Sequence, residues 1–449
     1  MQTATSKAFH NSRLLVTSIL HQTKLLRGNN VPSARTYRAN STRNLSYRTD
    51  FLPAKCISSG RYYCTMPPTK GPYQNVCMGG TFDRMHEGHF LLLREGCRLC
   101  EGTLTVGVTD LSMIQSKILC ELIEPVEVRI ENVRQFLRDT KPSMATDVVP
   151  ISDPLGPAGW NPDIQAIVVS TETKKGADFV NETRKKKGLS ELAVHMIDLV
   201  PEPSPSSSEE HKVSSSNLRQ RLLGTLLRPV QPKPDLRCHP YVLGLTGGIA
   251  SGKTSVGRRL QGLGAAVVDC DKLGHKAYEP GTATHGQVVE TFGQDVLAED
   301  GTINRKVLGP KVFADKAKLQ ALNNIVWPEI ARLAREEIAA HAEAGKSVVV
   351  LDAAVLLEAG WETFCHETWV SVIPRKEAIR RIVERNKFTE EDAARRIDSQ
   401  MSNQDRVDRG DVIISTLWEP EVTQKQVEKA WALLLDRIQQ RTEKGASQL

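Results

Sequence analysis

From residue 74 onward the chain alternates short β-branched runs with stretches of helical period. Runs at 75–78, 103–108, 147–151, 165–169 and 192–197 predict five strands, and the patterns between them, such as 126–140 and 174–187, predict crossover helices. Strands that alternate with helices in this way build a parallel, doubly wound sheet. A second series follows at 241–245, 265–268, 347–352, 369–373 and 411–415, with a helix-rich region over 303–345 in its middle. The expected fold class is therefore α/β, with two doubly wound parallel-sheet domains. No internal repeat relates them, so they read as different domains joined rather than as a duplication.

Two stretches break the pattern. Residues 201–212, PEPSPSSSEEHK, combine Pro, Ser and Glu and are expected to form a mobile surface loop inside the first domain. The proline-rich stretch 229–240 is expected to be the interdomain linker. The expected division is a basic segment over 1–70, a first domain over 71–228, the linker over 229–240, a second domain over 241–440 and a tail over 441–449. A length of 449 residues suits two or three domains of about 150 residues each.

With 40% hydrophobic and 25% charged residues, the bulk reads as ordinary globular protein, and no apolar run approaches the roughly 18 residues of a membrane span. The net charge of +6 hides a strong asymmetry. Residues 1–70 hold 11 Lys and Arg against the single acid Asp50, a net of +10, which leaves −4 for the remainder. That excludes a basic, nucleic-acid-binding body. The first segment is rich in Arg, Ser and Thr and almost free of acids, the composition of a mitochondrial transit peptide. Within it, Leu14, Leu15, Ile19, Leu20, Leu25 and Leu26 alternate with Arg13, Lys24 and Arg27 and can form an amphipathic basic helix that faces an import receptor or an anionic membrane. The expected location is the mitochondrion, with peripheral membrane association and a cytoplasmic pool also compatible. Nine scattered cysteines do not make a disulfide framework, and the lone pair Cys97 and Cys100 reads as two small apolar residues on a helix.

The chemistry is concentrated in a few motifs. In the second domain, Leu243-Gly244-Leu245-Thr246 leads into Gly247, Gly248, Ile249, Ala250, Ser251, Gly252, Lys253 and Thr254, a complete phosphate-binding loop between a predicted strand and a predicted helix. Backbone N–H groups and the helix N-terminus cradle phosphates there, Lys253 reaches the β- and γ-phosphates, and the Thr254 hydroxyl ligates magnesium (Mg2+). Asp271, in VVDCDKLGH, lies at the carboxyl end of the next strand, where it can accept a proton from a hydroxyl substrate or hold magnesium through water; Asp269 is a partner or a strand-end cap. Asp352 closes another apolar strand as a Walker-B-like candidate for magnesium. Arg380, Arg381, Arg385, Arg395 and Arg396 fall on two short helices, which suits either a lid over ATP or a solvated face of i,i+4 ion pairs.

The runs GLTGGIASGKTS, VVDCDKLGHKAY, INRKVLG, LDAAVLLEAGW and RIVERN…RRIDSQM, in this order, resemble the dephospho-coenzyme A kinases across essentially all of residues 241–440. The resemblance implies transfer of the ATP γ-phosphate to the ribose 3′-hydroxyl of dephospho-CoA. It also implies that Asp271 activates the hydroxyl and that Arg385 belongs to the lid.

In the first domain, Gly79-Gly80-Thr81-Phe82-Asp83-Arg84-Met85-His86-Glu87-Gly88-His89 follows the first strand and opens a helix. Imidazole donors and a helix N-terminus there converge on a nucleotide α-phosphate, with His89 placed to stabilise developing charge and Thr81 to orient the incoming phosphate. Far downstream, Lys212-Val213-Ser214-Ser215-Ser216-Asn217-Leu218-Arg219 sets a serine cluster at the start of a predicted helix, where serines serve as N-caps or phosphate ligands. Together, GGTFDxxHxGH and SSSxxR resemble the phosphopantetheine adenylyltransferases of the nucleotidyltransferase superfamily. That likeness implies phosphate-binding roles for Lys117, His86, Ser214, Ser215, Ser216 and Arg219. Both domains in this order resemble the bifunctional coenzyme A synthase family over about residues 71–440. The implied small-molecule partners are ATP, 4′-phosphopantetheine and dephospho-CoA, with no nucleic acid.

Two other readings use the same residues. A cytidylyltransferase for a phospho-alcohol also has HxGH but is expected to pair it with RTxGxST, where this chain has KVSSSNLR. A non-catalytic scaffold is opposed by intact His89, Lys253, Thr254 and Asp271.

Overall fold

The computed structural model describes residues 71–313 and 315–446, so the expectation of a targeting segment over 1–70 lies outside the described residues. The first domain runs β1 (Tyr73–Gly80), α1 (Glu87–Leu99), β2 (Cys100–Thr109), α2 (Leu111–Ile114), α3 (Val126–Thr140), β3 (Ala145–Ile151), β4 (Ala166–Ser170), α4 (Lys174–Lys186), β5 (Ala193–Ile197) and α5 (Ser215–Leu222). Its sheet has the order β3-β2-β1-β4-β5 and is parallel throughout.

The second domain runs β6 (Tyr241–Gly247), α6 (Lys253–Gly262), β7 (Ala266–Asp269), α7 (Cys270–Lys276), α8 (Ala283–Phe292), α9 (Arg305–Phe313), α10 (Lys316–Glu343), β8 (Val348–Asp352), β9 (Glu367–Val372), α11 (Arg375–Asn386), α12 (Glu390–Asp398), α13 (Asn403–Arg409), β10 (Val412–Ser415) and α14 (Pro420–Ala446). Its sheet, again parallel, has the order β10-β9-β6-β8-β7. The two doubly wound α/β sheets are those expected from the alternation of runs.

Burial explains why these runs form strands. Helices cover both faces of the second sheet, so β6, β8 and β9 are buried along their whole length and read as continuous apolar runs. Leu243, Leu245, Val256, Leu260 and Leu434 fill the layer under α6 and α14, while Val349, Leu351, Leu273 and Leu322 belong to the layer under α7–α10. In the first sheet, Val76, Met78, Leu104 and Val106 pack with residues of α1 and α3, and Ile167 and Val169 pack with residues of α4. In both sheets the chain order reverses beside the first strand, which opens a crevice at the carboxyl ends of β1 and β6.

Four expectations change. Cys97 lies in α1, but Cys100 opens β2 rather than continuing the helix. The segment 201–212, expected as a mobile loop, is tied at its base by a bridge between Pro201 and Lys212 and a bond from Glu202 N to His211 O at 2.9 Å. Glu209 fixes its tip to α5 through Arg221 at 2.7 Å. The acidic and serine-rich composition is thus consumed by local pairing. The expected tail from 441 begins as helix, because α14 continues to Ala446.

The fourth change concerns the boundary at 228. Residues just before it already bond to the second domain: Gly224 N donates to Ile413 O at 2.9 Å and Leu227 N to Asp411 O at 2.8 Å. Within the linker, Lys233 Nζ donates to Glu362 O at 2.7 Å and to Cys365 O at 2.5 Å. An apolar seam accompanies these bonds, in which Leu119, Leu122 and Leu223 of the first domain share one buried cluster with Val370, Val372, Val407 and Ile413 of the second. The proline-rich stretch runs along a surface instead of swinging between two bodies.

One buried charge pins α14 to the second sheet. Glu367 has 0% exposure and receives two bonds from Arg437 at 2.8 Å, one from the Tyr241 hydroxyl at 2.7 Å and one from the Trp369 indole N–H at 3.1 Å. Arg437→Ala would strand that carboxylate, and the expected cost is about 3 kcal/mol or more. The denaturant midpoint reads the loss, and Arg437→Lys should recover only part because an ammonium does not span both oxygens.

Candidate active sites

The loop after β6 closes over itself before α6 begins. Ala250 and Gly252 adopt φ of 61° and 85°, the left-handed backbone of a tight phosphate-loop turn, and Ser251 N donates back to Gly248 O at 3.1 Å. At Gly252 a Cβ would lie 2.6 Å from Thr416 Oγ1, so close approach as well as φ requires glycine there. The loop is clamped from behind: Ser251 O accepts from Ser371 Oγ at 2.7 Å and from Thr416 Oγ1 at 2.8 Å. A cavity of about 600 Å3 opens in front of it, within the size range of small-molecule sites. Gly247–Thr254 line it together with Asp271, Arg381, Arg385, Arg396 and Gln400.

Lys253, which lines this cavity, is paired with Asp352. Burial acts to lower its ammonium, but the carboxylates of Asp352, Asp271 and Asp269 outweigh burial and hold it above the ordinary lysine value, so it stays charged. Asp269 spends Oδ1 on the N–H groups of Asp271 and Lys272 at 3.1 and 3.2 Å. It is the cap of α7, and it leaves Asp271 as the residue that faces the cavity. The arginines of α11 and α12 divide by role. Arg380 pairs with Glu377 and Glu384 on the surface, at 2.7 and 2.6 Å. Arg381 bonds Glu377 at 2.6 Å, reaches the loop itself through Ala250 O at 3.3 Å and bonds the clamping Thr416 Oγ1 at 2.8 Å. Arg385 and Arg396 line the cavity, and Arg396 stacks over Phe388 at 4.1 Å.

In the first domain, the turn after β1 is held by residues far from it in sequence. Phe82 and Arg84 take φ of 50° and 47°, and buried Asp83 anchors the turn by accepting from Arg219 Nη1 at 2.5 Å and from Glu124 N at 3.0 Å. His86 and His89 stack at 3.9 Å where α1 begins. Gly88 permits that stack, since a Cβ there would meet the His86 ring at 3.2 Å. Burial drives both imidazoles far below the ordinary value of 6.5. His86 falls to about 4 despite Asp83, and His89 to about 3 with help from His86 and Lys117. Both are therefore neutral near pH 7, and each has an Nδ1 that is buried without a hydrogen-bond partner. Burial and the Arg219 guanidinium likewise lower the Lys117 ammonium from its ordinary value, against the pull of Asp83.

The serine cluster is placed beside this turn but is largely occupied. Ser214 caps α5 by accepting from Asn217 N at 3.2 Å, Ser215 Oγ donates to Asp83 O at 2.7 Å, and Ser216 Oγ accepts from Arg219 Nη2 at 3.3 Å. Arg219, expected on a phosphate, is instead buried and committed to Asp83, Ser216 and Ile118 O, so here it braces the turn. Thr81 Oγ1 accepts from Thr109 Oγ1 at 3.3 Å. Sequence reasoning missed Asp83 and Arg129 as its braces. Arg129 is fully buried, donates to Thr81 O at 2.7 Å and to Glu124 O at 2.8 Å, and carries an unpartnered Nη2. In the second domain it missed Gln400, whose Oε1 accepts from the loop's Ile249 N–H at 2.8 Å, and Thr416. An Arg inside an otherwise apolar helix face was the available signal for Arg129; nothing local marks Thr416.

A family model for dephospho-CoA kinase matches residues 241–417, and one described as cytidylyltransferase-like matches residues 77–221. The dephospho-CoA kinase of Geobacter sulfurreducens is 39% identical over 191 residues, spanning 42% of this chain and 97% of that protein. That of Syntrophus aciditrophicus is 41% identical over 205 residues, spanning 44% of this chain and 86% of the relative. Among solved structures, a dephospho-CoA kinase from Campylobacter jejuni aligns at 24% identity with a TM-score of 0.35, over 43% of this chain and 96% of the other. Through the domain that carries the phosphate loop, Asp271 and the arginines of α11 and α12, this chain belongs to the dephospho-CoA kinase family, and a cytidylyltransferase-like domain precedes that domain.

Proposed function

We propose that the chain carries out two successive steps that end in coenzyme A. In the first domain a phosphate oxygen of 4′-phosphopantetheine attacks the α-phosphorus of ATP, and pyrophosphate leaves, giving dephospho-CoA. Neutral His89 donates a hydrogen bond to the α-phosphate as charge builds there, Thr81 orients the attacking phosphate and Lys117 offsets its charge. No covalent enzyme intermediate is needed. In the second domain Asp271 takes the proton of the ribose 3′-hydroxyl as that oxygen attacks the γ-phosphorus of a second ATP, and ADP leaves. Lys253, Arg385 and Arg396 supply the cations around the transferring group.

Magnesium suits the second site. The donors beside the loop are hard oxygens, the Thr254 hydroxyl and the Asp352 carboxylate, and no group of three or more candidate ligands occurs among the described residues. An ion that keeps several waters and takes the remainder from phosphates fits such a set, with Thr254 and Asp352 as holders. Bound there it neutralises charge on the β- and γ-phosphates.

The observation that carries the reading is the cavity that joins the phosphate loop to Asp271 and the lid arginines, in a chain whose preceding domain stacks two neutral histidines at a helix start. Incubation with 4′-phosphopantetheine, ATP and magnesium should give dephospho-CoA and then CoA by mass spectrometry. Conversion of a phospho-alcohol with CTP, and no product from 4′-phosphopantetheine, would replace the adenylyl half with a cytidylyl one. The basic segment over 1–70 is proposed to direct the protein to mitochondria, with its basic face on an import receptor or an anionic membrane. A chain that starts at Thr69 should keep both activities and lose mitochondrial association on cell fractionation; unchanged association would place the address elsewhere.

A further inference from the structure

The stretch that carries Lys117 belongs to two domains at once. On one side it holds the first site. Ile118 O accepts from Arg219 at 3.2 Å, Leu122 O accepts from Arg84 Nη2 at 3.0 Å, and Glu124 bonds both Asp83 and the Arg84 N–H, at 3.0 and 2.9 Å. On the other side it is seated in the second domain. Leu119 and Leu122 are buried against Val407 of α13 and the β9 and β10 residues of the seam. The polar rim repeats the contact: Asn403 Nδ2 donates to Glu121 Oε1 at 3.1 Å and Gln404 Nε2 to Glu121 O at 3.3 Å.

Leu119 also has φ 53° and ψ 42°. A leucine avoids this left-handed conformation on its own, because its Cβ crowds the carbonyl oxygen. The surroundings must impose it, and the side chain that pays for it lies in the seam. Left-handed backbone at Leu119 turns the chain sharply two residues after Lys117, so the placement of the ammonium follows from where the leucine docks.

We propose that the second domain completes the first active site: the seam around Leu119, with Glu121 on Asn403 and Gln404, positions Lys117 for adenylyl transfer. Leu119 and Glu121 are positioning residues, and neither touches substrate. The inference rests on the proposed adenylyl-transfer reading and adds a one-way dependence to it. Transfer needs the kinase domain docked, while the kinase cavity, built from β6, α7, α11 and α12, takes no residue from the first domain.

The test uses the full chain and a variant from each side of the seam, Leu119→Ala and Val407→Ala. Both are expected to lower kcat for pyrophosphate release by about ten- to a hundredfold with KM for ATP little changed, as misplacement of a catalytic group by about 1 Å does. Turnover of supplied dephospho-CoA should persist in both, and Leu119→Met, which refills the seam, should restore most of the transfer. Hydrogen exchange gives a readout independent of substrate identity: peptides over 117–124 should exchange faster in both variants. Val407→Ala decides if Leu119→Ala does not fold. Wild-type transfer and unchanged exchange in Val407→Ala would overturn the proposal, as would a parallel fall of both activities. Absence of pyrophosphate release in the unaltered chain would instead defeat the adenylyl-transfer reading, and the exchange result would still decide whether the seam holds this loop.

Discussion

Lys253→Ala is expected to end CoA formation while pyrophosphate is still released and dephospho-CoA accumulates. The ammonium is the only cation of the phosphate loop itself, and three nearby carboxylates keep it charged in a largely buried position. Removing one preorganised charge from a transferring phosphoryl group costs on the order of a hundred- to a thousandfold in turnover. The substitution also strands Asp352, which is buried and bonded to Lys253. Unfolding could then imitate a chemical effect. The thermal midpoint of Lys253→Ala, read beside its turnover, separates the two, and Asp352 is left in place because it is the proposed magnesium holder. Kinase turnover near the unaltered level in Lys253→Ala would mean that this lysine does not meet the phosphate.

What the sequence displayed was mostly local. The phosphate loop is eight consecutive residues between a strand and a helix, with Ala250 and Gly252 in left-handed backbone, although the residues that clamp it, Ser371, Thr416 and Gln400, lie far away in sequence. The HxGH stretch is equally contiguous, and Gly88 is explained by the ring that lies across it. Strands of the second sheet were legible because helices cover it on two faces, which makes β6, β8 and β9 short buried runs bounded by polar residues. The hidden part consists of convergences over long separations. Arg381 meets the loop carbonyl of Ala250 across 131 residues, and Arg219 meets Asp83 across 136. A guanidinium in a motif reads as a phosphate ligand until the buried carboxylate it serves is seen.

The linker shows the same limit. Prolines signal extended chain and loss of N–H donors, but not what the extended chain lies against. Here backbone carbonyls and side chains of the second domain receive it, from Leu227 N on Asp411 O through Lys233 on Cys365 O to Arg237 O, which bonds His366 Nε2 at 3.1 Å. Composition therefore marked the extended stretch without showing the surface that receives it. The acid-rich loop before Lys212 was misjudged for a related reason, because Glu209 and Glu210 look solvated until their partners Arg221 and Lys212 are placed.

His89→Ala is expected to stop pyrophosphate release and leave conversion of supplied dephospho-CoA to CoA intact, since no residue of the first domain lines the second cavity. Loss of one donor to a developing charge predicts a fall of about a hundredfold or more. The pH dependence provides a second reading of the same residue. His89 is pressed to about 3 and His86 to about 4 by burial, so both stay neutral in the folded protein well below the ordinary 6.5. In the unfolded chain they take up protons as pH falls through 6.5. The unfolded state then binds more protons than the folded one, so stability declines from about pH 6.5 downward and levels off only near the folded values. His89→Ala removes one of these groups and should lose less stability than the unaltered protein between pH 6.5 and 4, as measured by denaturant midpoints across that window. Transfer activity is not the readout for this, because the attacking phosphate of 4′-phosphopantetheine itself takes up a proton at about pH 6 and gives an acidic limb of its own. An acid dependence of stability identical in the two proteins would mean that His89 is solvated and titrates freely, which is incompatible with a buried neutral donor at the α-phosphate.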